Sequence, residues 1–122
     1  MDGPEGVEDI ASLRSGDAAA ALTARGFAET TVERGVDSDA VRQITVPAGK
    51  CVGLVVAGDE GLADVDLVAL EGAGERIASD TGPAPWASIS WCAGDEAESV
   101  RFEVIPYAGQ GAVELRWMER TP

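Results

Sequence analysis

The chain has no histidine, a single lysine and two cysteines. Without histidine, the usual base of serine- and cysteine-based catalysis is missing, and Lys50 beside Cys51 is the one amine left. The same lack, with no further cysteine, removes the ligand sets that hold zinc. Basic residues number nine against 22 acidic ones, giving a net charge of −13, and the basic ones stand singly. A phosphate backbone or an anionic membrane surface would be repelled, so no nucleic-acid partner is expected. No apolar run approaches the ~20 residues of a membrane span, which excludes insertion by a helix. MDGPEGVEDI is acidic and lacks an apolar segment, so it does not read as a signal peptide. The glycine-rich GAG and AGQG stretches open no helix and offer no aligned amides to a phosphate.

What is present describes one folded domain. Of 122 residues, 45% are hydrophobic and 25% charged, which is the balance of a globular core and not of a disordered chain. Residues 1–26 read as a helical cover segment. EDIASLRSGDAAAALTARGF is rich in alanine and leucine, with a break expected at Gly16 and a cap at Ser15 or Asp17. Gly26 stands where a C-terminal cap belongs, and Ile10, Leu13, Ala18, Ala21 and Leu22 are the expected inward residues. From Phe27 to Glu119 the period changes to two. Eight strand-like runs (AETTVERG, DAVRQITV, CVGLVVA, DVDLVALE, GERIASD, WASISWC, SVRFEVIPY and AVELRWM) are joined by short Gly/Pro-rich connections. This pattern predicts an all-β, antiparallel sandwich or barrel. Alternation places Val65, Leu67 and Ala69 on one face and Asp64 and Asp66 on the other. It also turns Trp91 and Trp117 toward the core and puts Trp86 with Ser88 and Ser90.

Cys51 and Cys92 flank apolar runs that can be neighbouring strands. They read either as a disulfide or as two buried thiols; as a disulfide closing about 40 residues, the bond would contribute about 4 kcal/mol. Asp64 and Asp66 would stand about 6–7 Å apart on one strand face. That separation fits paired-carboxylate hydrolysis, yet no cleft-forming motif accompanies it, so the reading is non-enzymatic. Asp59, Glu60, Asp64, Asp66 and Asp80 fall near strand ends and form a candidate calcium set, because calcium takes ~6–8 oxygens from carboxylates and loop carbonyls. Trp86, Ser88, Ser90 and Tyr107 form a candidate ligand-binding set, in which aromatic rings offer platforms for a sugar or a partner side chain.

Three runs, ITVPAGKCVGLVVAG, DVDLVALEGAGERIASD and SVRFEVIPYAGQGAVELRW, follow one another in the order and spacing of a known family. Over residues 40–118 the chain resembles the bacterial pre-peptidase C-terminal domain and related extracellular sandwiches. The resemblance implies a jelly-roll-like β-sandwich acting as an accessory module, with some relatives binding calcium near the D-x-D-L segment and others binding protein fibres or sugars. The combined expectation is a non-enzymatic binding or assembly domain, secreted, periplasmic or at the cell surface, with calcium as its one candidate cofactor. A carbohydrate-binding module and a homo-oligomeric coat or filament subunit are the alternatives.

Overall fold

One helix and eight strands account for the described part of the chain, residues 10–121 of a computed structural model. The sequence reading of residues 1–9 lies outside the described residues. Helix α1 (Ile10–Ala24) precedes β1 (Ala28–Asp37), β2 (Val41–Val46), β3 (Cys51–Gly58), β4 (Leu62–Glu71), β5 (Arg76–Asp80), β6 (Trp86–Cys92), β7 (Glu98–Gly109) and β8 (Ala112–Arg120). The strands form two antiparallel four-stranded sheets, ordered β1-β8-β3-β6 and β2-β7-β4-β5. All eight expected strands are therefore present, in the all-β sandwich that their alternation calls for.

The inner faces interdigitate as period two requires. Val65, Leu67 and Ala69 of β4 meet Val52, Leu54 and Val56 of β3, with Val100, Phe102 and Val104 of β7 and Val113 and Leu115 of β8 completing the core. Trp91 and Trp117 are only half-buried, at the rim of this core and not inside it. The reason for Trp117 is its indole N–H, which needs an acceptor and finds Glu33 Oε2 at 2.8 Å, while the ring packs edge-on to Phe102 at 5.3 Å. Arg42 of the facing sheet donates to the same Glu33 at 3.0 and 3.1 Å, so the carboxylate ties β1 to β2.

Strand β3 is buried along its whole length, because α1 covers its second face. Ala19 and Leu22 of the helix pack with Phe27, Cys51, Val55 and Met118. Contrary to the two-piece reading, α1 is one continuous helix through Gly16. Glycine in a helix interior costs about 1 kcal/mol relative to alanine, which docking against the sheet offsets. Ser15 does not cap a second piece; it is buried, and its hydroxyl donates to Glu114 Oε2. Asp17 is exposed in mid-helix. The inward face is Ala11, Ser15, Ala19 and Leu22 with Ala18 half-buried, whereas Ile10, Leu13 and Ala21 point outward. The C-terminal cap matches expectation. Gly26 has φ of 92°, Phe27 N donates to Leu22 O and Gly26 N to Thr23 O, both at 3.0 Å, and Leu22 and Phe27 share one cluster.

Candidate functional site

Strands β4 and β7 lie side by side in the second sheet, and their register decides what the outer face displays. Asp66 stands opposite Ile105, Val68 opposite Glu103 and Leu70 opposite Arg101. Below Asp66 the polar groups satisfy one another: Arg101 Nε donates to Glu103 Oε2 at 2.8 Å, and Gln43 Nε2 to Ser99 Oγ at 2.8 Å. Above it the ladder changes. Pro106 brings no N–H, and the pairing passes from Val65↔Pro106 to Asp64↔Ala108, leaving Tyr107 unpaired in a bulge. Tyr107 is 73% exposed and Ile105 40% exposed.

The two aspartates of this face behave unlike the others among the described residues. With both ionised, Oδ1 of Asp64 and Oδ1 of Asp66 are shut off from solvent and accept no hydrogen bond. Asp66 holds its proton above the ordinary aspartate range. Burial is the first cause, followed by the charge of Asp64, a carboxyl–carboxylate hydrogen bond with Asp64, and the charge of Asp80. The upper half of the sheet face thus combines an exposed aromatic ring, an exposed aliphatic side chain and two carboxylates in want of donors.

The remaining expected metal ligands are committed elsewhere. Asp59 fastens the β3–β4 loop to the β7–β8 turn: Oδ1 accepts Gly61 N at 3.0 Å and Oδ2 accepts Ala112 N at 2.9 Å. Asp80 accepts Gly82 N at 3.2 Å and Ser88 N at 2.9 Å, tying the end of β5 to edge strand β6. It stands opposite Leu67 in the β4–β5 ladder, and its charge reaches Asp66 without joining the pair. Glu60 is exposed. Among the described residues no group of three or more His, Cys, Asp or Glu is placed to hold a metal ion. Asp59 and Asp80 therefore fix loops, and Asp64 and Asp66 stand as a pair.

The expected aromatic set is also divided. Trp86, 43% exposed, and the half-buried Ser88 and Ser90 lie on β6, on the helix-bearing face of the first sheet. Tyr107 belongs to the second sheet, next to the aspartate pair. Sequence reasoning overlooked Ile105. Its signal was the alternation of SVRFEVIPY, which turns Val104 inward and leaves an isoleucine outward among polar neighbours. Cys51 and Cys92 do form the disulfide, as a directly opposed pair in the β3–β6 ladder.

Comparison with known proteins adds little to the fold that the strands themselves show. No family model matches the chain, and no curated protein matches it. The β-sandwich implied by the resemblance to the pre-peptidase C-terminal domain is present in the two sheets, and membership of that family is not shown. Among solved structures, the chain is similar to a carbohydrate-binding module of a Cellvibrio mixtus lichenase, solved with cellotriose. The identity is 14% and the TM-score 0.41, over 77% of this chain and 85% of that one.

Proposed function

We propose that the chain is a non-catalytic binding module whose ligand is a neutral carbohydrate, held on the outer face of β4 and β7. One observation carries the reading: the bulge at Tyr107 sets an exposed aromatic ring beside two carboxylates that lack donors. A sugar supplies both complements, an apolar ring face to stack and hydroxyls to donate. Hydrogen bonds to a charged acceptor are the stronger kind, so hydroxyls donated to the half-buried Asp64 and Asp66 carboxylates would add to stacking on Tyr107. The net charge of −13 argues for a neutral glycan over a sulfated or uronic-acid one. The face offers an aromatic platform and a carboxylate pair, which suits holding a sugar, and no histidine is present to act as a base. The disulfide agrees with an oxidising compartment outside the cytoplasm.

Calorimetric titration with a panel of neutral and anionic oligosaccharides tests the reading. Binding of a neutral oligosaccharide, abolished in Tyr107→Ala and retained in Trp86→Ala, is expected. Binding that survives Tyr107→Ala and fails in Trp86→Ala would place the ligand on the other sheet and refute the assignment.

A further inference from the structure

The two sulfurs of the Cys51–Cys92 bond have unlike surroundings. Cys51 is 1% exposed and packs with Leu22, Phe27, Val55 and Met118. Cys92 is exposed, on the edge strand of the sheet. Arg120, opposite Cys51 in the β3–β8 ladder, holds Nη2 3.6 Å from Cys51 Sγ and 3.9 Å from Cys92 Sγ. Its guanidinium is fixed in place: Nη1 donates to the Arg25 carbonyl at 3.2 Å, and the group stands 5.0 Å over the Phe27 ring. Arg120 Nε is buried without an acceptor, and among the described residues no carboxylate forms an ion pair with this side chain. A positive charge held against the two sulfurs with no carboxylate to neutralise it favours the thiolate form of a sulfur that is released.

We infer that Cys51–Cys92 is a thiol–disulfide exchange site, attacked at Cys92, with Cys51 as the leaving group stabilised by Arg120. The co-reactant is an external thiol, either a low-molecular-weight thiol or a dithiol. Its thiolate attacks Cys92 Sγ, a new S–S bond forms there, the Cys51–Cys92 bond breaks, and the electron pair departs on Cys51 Sγ. A cation beside a cysteine lowers its pKa, and a leaving thiol of lower pKa departs faster. A second external thiolate then attacks the external sulfur of the mixed disulfide. Cys92 is released as a thiolate that takes up a proton, and the reductant ends as its own disulfide, two electrons having passed to the protein. Attack on Cys51 is disfavoured because that residue is 1% exposed whereas Cys92 is exposed.

Trapping on the unaltered protein tests the direction of attack. The oxidised chain is exposed briefly to reduced glutathione, quenched in acid, alkylated and mapped by peptide mass spectrometry. Glutathione on Cys92 with the alkyl group on Cys51 is expected; glutathione on Cys51, or shared equally, overturns the inference. The role of Arg120 is read from the rate of reduction by dithiothreitol at neutral pH. Arg120→Gln is expected to slow it by about threefold or more, and Arg120→Lys to restore most of the rate. A folded Arg120→Gln chain reduced as fast as the unaltered one contradicts the assignment. Should that variant not fold, the trapping result decides alone.

Discussion

At the scale of single residues, two carboxylates on opposite sheets have opposite electrostatic fates. Asp66 is desolvated beside Asp64, so its pKa is raised in the folded state. A raised carboxyl stabilises only below its unfolded pKa, and that contribution is lost as pH rises through the folded value. Asp66→Asn is therefore expected to raise the melting midpoint at pH 7, by a margin that closes as the pH is lowered toward 4; an unchanged midpoint at pH 7 would count against this. Glu114 is 1% exposed on the helix-bearing face. Burial pushes its pKa up, but the hydroxyls of Ser12 and Ser15 and the charges of Arg116 and Arg34 more than offset this and hold it below 4.5. Its contribution is present above the unfolded value and lost as pH falls through the lowered one. Removing one partner of such a network leaves the others unpaired, so Glu114→Ala is expected to cost about 3 kcal/mol in chemical denaturation. Alternation in the sequence showed the face of Asp64 and Asp66. It did not show which had donors, since those come from afar: the Ala112 amide that satisfies Asp59 lies 53 positions away.

Elements were the most legible scale. Every strand was visible, β3 from its continuous apolar run and the others from period two and Gly/Pro punctuation, and the hairpin of β4 and β5 closes through Gly74, with φ of 89°, as DVDLVALEGAGERIASD implies. The helix was legible at its C-terminus and misleading along its face. It approaches the sheet so closely that a Cβ on Gly53 would stand 2.9 Å from Leu22 Cδ1. Small residues such as Ala11, Ser15 and Ala19 therefore make the contact, while the larger Ile10 and Leu13 stay outside. Gly16 is exposed with nothing within 4 Å of an added Cβ. Gly16→Ala is therefore expected to stabilise the protein by about 1 kcal/mol in denaturant titration. The loops lead to a second outcome. Asp59 and Asp80 are engaged with backbone amides, and among the described residues no group of three acidic side chains is placed to hold an ion. The melting midpoint is accordingly expected to be the same in calcium and in chelator, and a rise in calcium would contradict this reading, because a bound ion must stabilise by mass action.

The whole molecule was the least legible scale, because strand order is set by contacts distant in sequence. Nothing local in AVELRWM places it between β1 and β3, or SVRFEVIPY between β2 and β4. That order separates Trp86 from Tyr107, onto different sheets, and joins Tyr107 to Asp64 and Asp66, a grouping invisible in the linear chain. The acidic surface, the two sheets and the helix then leave one outer face with both an aromatic platform and a carboxylate pair. The most direct test of that face is an amide chemical-shift titration of the isotope-labelled protein with the neutral oligosaccharide selected by calorimetry. Saturable shifts centred on residues 64–66 and 105–108 are predicted. Shifts centred on residues 86–90, or a spectrum unmoved at saturating ligand, would contradict the account.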